Sequence, residues 1–106
     1  MDPSHILDLE SKIISALKTV YDPEIPVNIY DLGLIYNLDV DDNANVKITM
    51  TLTAPNCPMA DVLVWETQEK TEAVEGVNKV EVDLVFEPLW SRERMSEEAL
   101  MELGML

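Results

Sequence analysis

The residues best able to do chemistry lie in one uncharged stretch, Thr51-Leu52-Thr53-Ala54-Pro55-Asn56-Cys57-Pro58-Met59, which leads from a strand pattern into a helix pattern. Proline is favoured at the first helical position, so Pro58 makes Cys57 the N-cap. The Cys57 sulfur then faces the free N-H groups of Met59 and Ala60 at the positive end of the helix dipole, where a thiolate is favoured over a thiol. Position alone suits two readings equally: a reactive, metal-competent cysteine, or the small buried hydrophobe that a free cysteine commonly is. A second group is Asp22-Pro23-Glu24-Ile25-Pro26, two carboxylates on a proline-stiffened loop that could act as fixed acceptors or metal ligands. Turn chemistry, with Asp22 bonding nearby backbone N-H groups, is the stronger reading on sequence physics. Trp90, followed by Arg92 and Arg94, could mark a partner surface, because Trp and Arg are enriched at binding hot spots. The plainer alternative is a Trp lid that closes the sheet edge.

Other chemistries fail on residue type or spacing. Gly33, Gly76 and Gly104 are the only glycines, and they form neither of the Gly-rich cradles that receive nucleotide phosphates. Asp39, Asp41, Asn43 and Asn45 imitate alternate calcium ligands, but Ala44 stands at the turn glycine and Met50 at the bidentate Glu, so a solvated hairpin turn is expected. His5 is the only histidine and reads as an exposed residue near a terminus; one Cys and one His cannot build an ordinary zinc site. No readable motif pairs a general base with Cys57, so an enzyme is not expected.

The elements that must position these residues follow from periodicity. Ile6, Leu9, Ile13, Ala16, Leu17 and Val20 recur at spacings of three and four, predicting an amphipathic helix capped by Asp2 or Ser4 and ending near Tyr21. Residues 22–33 read as an ordered loop. Leu34, Tyr36, Leu38 and Val40 alternate with Ile35, Asn37 and Asp39, and Val46, Ile48, Met50 and Leu52 alternate more cleanly with Lys47, Thr49, Thr51 and Thr53, predicting a hairpin about Asp41–Asn45. Met59 to Val74 continues as a helix with Val62, Leu63, Ala73 and Val74 inward. Val80, Val82, Leu84 and Phe86 give a third strand, and Ser96 opens a short last helix closed by Gly104. The order α-β-β-α-β-α predicts an α/β (α+β) two-layer sandwich.

Composition narrows the setting. The 106 residues carry 21 acidic and 7 basic side chains, a formal net charge of −14, which opposes nucleic-acid and anionic-membrane binding. Hydrophobic residues make up 47% of the chain, enough apolar surface to favour a folded domain over disorder. The length suits a single domain over 1–106. One cysteine, no leader-like start and no long uncharged apolar run lead to the expectation of a cytoplasmic protein.

Three separated blocks then resemble one family: Tyr21-Asp22-Pro23-Glu24-Ile25-Pro26-Val27-Asn28-Ile29-Tyr30-Asp31-Leu32-Gly33-Leu34-Ile35-Tyr36, Thr51 to Met59 as quoted, and Phe86-Glu87-Pro88-Leu89-Trp90-Ser91. Their types and order are similar to the signatures of SufT-like and PaaD-like proteins, formerly domain of unknown function fifty-nine. The resemblance implies a small cytosolic factor in iron-sulfur cluster assembly or delivery, with a fold like the cluster-scaffold domain of NifU-type proteins. It also implies a functional role for Cys57, with Asp22, Glu24, Thr51 and Thr53 on other motif positions. Asn56 replaces the Gly that often precedes the family's Cys, and Phe86 a common Trp; Asn is the best non-Gly occupant of a left-handed turn.

Iron-sulfur clusters are normally held by four thiolates, and this chain has one. The resemblance therefore leads to transient ligation of a cluster by Cys57, with Asp22, Glu24, a small thiol, a client's cysteines or a second chain of a homodimer completing the set. Assembly proteins and apoprotein clients are the expected partners. The alternatives are a non-enzymatic adaptor that never binds iron and a PaaD-like maturation factor for a ring-oxygenating monooxygenase. The second of these would be expected to carry cysteines in the tail Ser91 to Leu106, which has none.

Overall fold

A computed structural model describes residues 3–22, 25–53 and 60–104. Helix α1 spans Pro3–Leu17, with proline at its first position, where a missing N-H costs nothing. It turns Leu9, Ile13 and Leu17 inward. The sequence places the helix end near Tyr21; the α-helical span stops at Leu17 and tapers through the bonds Thr19 N to Ala16 O and Val20 N to Leu17 O. The reason is competition. The Val20 carbonyl accepts from Ile29 N at 2.8 Å and Tyr21 bridges Asn28, so both residues are drawn into extended pairing with the following loop.

Strands β1 (Ile35–Val40) and β2 (Asn45–Met50) form the expected antiparallel hairpin, and β3 (Lys79–Leu84) lies parallel to β2, giving the order β1-β2-β3. Helix α2 (Ala60–Glu72) provides the crossover that a parallel pair needs. After β3 come a single 3-10 turn at Arg92–Arg94, which periodicity does not signal, and helix α3 (Glu97–Glu102). Ser96 caps α3 by accepting from Ala99 N at 3.1 Å, and Gly104 follows it at φ +73°. The mixed α+β two-layer fold is the one the element order predicts. Val46, Ile48 and Met50 of β2 are buried with the α1 stripe, while Lys47 projects to the polar face, 3.4 Å from Asp83 and 3.9 Å from Glu81 of β3.

Several side chains lie otherwise than alternation suggests. Thr51, expected on the polar face, is buried; it lies one residue past β2, with its N-H on the carbonyl of Leu34, which precedes β1 beyond the register shift between Ile35 and Asn37. In α2 the inward stripe is Leu63, Thr67 and Thr71, and Val62 and Ala73 are exposed. The two threonines tolerate burial because each hydroxyl donates to the carbonyl four residues back, Thr67 to Leu63 and Thr71 to Thr67, both at 2.7 Å. Phe86 lies beyond β3 and is half-buried.

The calcium-like spacing at the hairpin turn serves the turn itself. Asp41 Oδ1 accepts from Asn43 N at 2.8 Å and from Asn45 N at 2.9 Å, and Oδ2 accepts from Asn45 Nδ2 at 3.2 Å. Chiefly the Asn45 backbone N-H, opposed by some desolvation and aided by the Asn43 N-H and the Asn45 amide, holds this carboxyl below the ordinary carboxylate value. A depressed native pKa contributes stability that is present above the unfolded value and lost as pH falls through the native one. Urea unfolding of Asp41→Asn should therefore show a smaller loss of stability on acidification than the parent chain.

Gly33 sits at φ +80°, where a Cβ would lie 2.7 Å from Arg94 Cβ and 2.8 Å from Arg94 C, and would overlap the Arg94 carbonyl oxygen. Backbone meets backbone here, so no side-chain rotation can relieve the clash. Gly33→Ala should cost about 2 to 4 kcal/mol in chemical denaturation, from left-handed strain and displacement of the tail together.

Candidate functional site

The three signature blocks meet on the loop between α1 and β1. That loop satisfies its own backbone without a helix or ladder: Asp22 N donates to Val27 O at 3.2 Å, Ile29 N to Val20 O at 2.8 Å, and Leu34 N to Ile29 O at 3.1 Å. Val27, Ile29, Leu32 and Leu34 anchor it in the core. Asn28 and Asp31 form a buried reciprocal pair, in which Asn28 Nδ2 donates to Asp31 Oδ2 and Asp31 N donates to Asn28 Oδ1, each at 2.8 Å.

The second block is tied to this loop where it begins, since Thr51 N donates to Leu34 O at 2.9 Å. The third closes over the loop from outside. Trp90 Nε1 donates to Leu32 O at 2.6 Å, Ser96 N donates to Asp31 O at 2.8 Å, and the Arg94 backbone lies against Gly33. The same tail reaches β1: Tyr36 Oη donates to Pro88 O at 2.6 Å, and the Arg94 guanidinium lies 4.5 Å from the centroid of the Tyr36 ring. Segments far apart in sequence thus converge on the loop between α1 and β1, beside the end of β2.

Of the residues singled out from sequence, Asp22 is 4% exposed and its Oδ1 accepts from Ile25 N at 3.0 Å, the turn chemistry expected of it. Thr51 is buried and Thr53 half-buried. Trp90 is half-buried with its indole N-H spent on Leu32, and Arg92 is exposed. His5 is exposed. Cys57, Asn56 and Glu24 lie outside the described residues, as does Asp2, the other candidate cap of α1. Among the described residues no three His, Cys, Asp or Glu side chains are grouped so as to hold a metal ion. A shallow cavity of about 460 Å³ opens between Asp41, Lys47, Lys79 and Glu81, at the end of β2 remote from Thr51.

A family model described as iron-sulfur cluster assembly protein matches residues 10–84. The chain belongs to this family. It is 56% identical over 103 residues to a Fe-S protein maturation auxiliary factor of Porphyromonas gingivalis, covering 97% of this chain and 98% of that one. A second relative, the Fe-S protein maturation auxiliary factor YitW of Bacillus subtilis, is 41% identical and covers 91% of this chain and 94% of its own. Among solved structures, a domain of unknown function from Bacillus anthracis superposes with a TM-score of 0.89 at 40% identity, covering 99% of this chain and all of that one. The SufT-like resemblance of the three blocks therefore stands, and with it the mixed α+β fold.

Within this iron-sulfur assembly domain, the signature blocks contain Asn28, Asp31 and Gly33 with no role assigned to them from sequence, and Arg94 entered only beside Trp90 as a candidate partner surface. Their role is to hold the loop: the short Asn-x-x-Asp spacing is a turn-forming signal, but only the fold shows the pair buried. Asn28→Asp would set two carboxylates against each other out of water, raising the carboxyl pKa in the folded state. The native state then binds more protons than the unfolded one, so stability falls as pH rises. Thermal unfolding should show a loss of roughly 2 to 4 kcal/mol at neutral pH that is recovered on acidification.

Proposed function

We propose that the protein is a non-enzymatic iron-sulfur cluster assembly or delivery factor that holds a cluster transiently through Cys57 and passes it to apoprotein clients. Family membership supports the general role in cluster assembly. The observation that carries the finer reading is the bond from Thr51 N to Leu34 O. It fastens the start of the cysteine segment to a buried loop carrying Asp22, so the two motif blocks most suited to ligation share one anchor.

A single thiolate suits a carrier better than a storage site. One sulfur leaves the cluster's other positions to exogenous thiols or client cysteines. Delivery is then ligand exchange, in which incoming client thiolates displace Cys57 Sγ and the oxidation state of the cluster need not change. Asp22 enters this reading as a former of the ligand loop, because its Oδ1 already accepts from Ile25 N; Glu24 is the carboxylate proposed as a supplementary ligand. The cytoplasm is the compartment that suits a free thiol in such a role. Among the described residues, no helix is long and apolar enough to cross a membrane.

A second reading, an adaptor that joins assembly factors to clients without touching iron, draws on the surplus of 21 acidic over 7 basic side chains as a docking surface. Anaerobic reconstitution separates the two. The parent chain should acquire the visible thiolate-to-iron absorption and pass the cluster to an apo-aconitase-type client, while Cys57→Ser should transfer at the background rate of free iron and sulfide. Equal delivery by Cys57→Ser would overturn ligation and leave the adaptor.

A further inference from the structure

Helix α2 turns Leu63, Thr67 and Thr71 to the core, so its opposite face is free of packing duty. On that face Trp65 is 63% exposed and Val62 is 41% exposed. Three and four residues apart are neighbours on a helix, which sets Val62 and Asp61 on one side of Trp65 and Glu69 on the other, with Glu72 two turns on. Lys70 is the one basic residue of α2, and five positions from Trp65 it lies roughly 140° round the helix. Among the described residues the ion pairs are Lys12 with Asp8 and Lys47 with Glu81 and Asp83, so no cation answers the carboxylates around Trp65.

We infer that this face is a docking surface for an arginine-bearing polypeptide segment, with Trp65 as the anchor. An exposed indole offers a flat apolar face that attracts a cation, and the surrounding carboxylates add charge of the sign that a cation seeks. The chain uses the same chemistry internally: the Arg94 guanidinium covers Tyr36 at 4.5 Å and the Lys18 ammonium approaches Tyr30 at 5.5 Å. Trp65 has the ring and the acid without the cation, and an incoming arginine supplies it. Arginine fits better than lysine, because its planar guanidinium stacks on the ring while its N-H groups fork to a carboxylate. A second copy of this chain fits badly, since a two-fold contact would set Asp61, Glu69 and Glu72 against their own duplicates. The inference does not rest on Cys57 chemistry and stands whether or not the chain ever ligates iron.

The test uses the full chain, labelled with nitrogen-15, and a short capped peptide of alternating Arg and Ala with its Lys and citrulline counterparts. On titration the Trp65 indole signal should shift while the Trp90 indole, bonded to Leu32, stays still. Trp65→Ala and Glu69→Lys should each weaken binding at least about fivefold. Glu97→Lys on α3 should not do so; the Lys peptide should bind more weakly and the citrulline peptide not at all. Binding unchanged in Trp65→Ala, or weakened equally by Glu97→Lys, would mean diffuse attraction to an acidic chain and would overturn the inference. A Trp65 shift produced by raising protein concentration alone would assign the face to self-association and overturn it as well.

Discussion

The seventeen residues between α1 and β1 have to bury Val20, Val27, Ile29, Leu32 and Leu34 while providing hydrogen bonds for a backbone that is neither helix nor sheet. A buried amide left unpaired is expensive, so this constraint shapes everything around it. The loop meets it by pairing across itself, Val20 with Ile29, Asp22 with Val27 and Ile29 with Leu34, and by lending its remaining carbonyls to neighbours. Those loans fix the molecule. Leu34 O takes the amide that ends β2, Leu32 O takes the Trp90 indole, and Asp31 O takes the amide of Ser96 that precedes α3. The early end of α1, the burial of Thr51 and the close approach of Arg94 to Gly33 follow from the same set of bonds.

The outline of the fold was legible because it rests on periodicity. The α1 stripe, the alternation of Val46, Ile48 and Met50, and the Ser96 cap are local signals with a local cause, and each matches the structure. Failures occurred where a distant partner decides. Thr51 reads as one more polar residue in an alternating strand, and only the fold shows it past the end of β2, buried with its N-H on Leu34 O. Around α2, Leu63 and Val74 pack inward as expected, but Thr67 and Thr71 take the place of Val62 and Ala73, because threonine reads as polar whereas a hydroxyl bonded to its own helix presents a methyl to the core. The 3-10 turn at Arg92–Arg94 has no pattern of its own; it exists where the tail must pass over Gly33.

The candidate site was legible in a different way. The three blocks stood out by residue type and resemblance, and the shared anchor that joins them became visible only in three dimensions. Asp22 shows the division of labour: a carboxylate that could have been a ligand serves first to turn the chain at Ile25. The acidic surplus is also divided. Asp41 spends its charge on the hairpin turn and Asp83 on Lys47, whereas among the described residues no cation pairs with the carboxylates around Trp65.

Native-state hydrogen exchange tests most directly whether the loop is the common anchor. The amides of Ile29, Leu34, Thr51 and Ser96 should exchange only through global unfolding, with protection equal to that of Ile48 at the centre of β2. Much faster exchange at Thr51 and Ser96 than at Ile48 would show that the cysteine segment and the tail open independently of the loop, and would contradict the arrangement described.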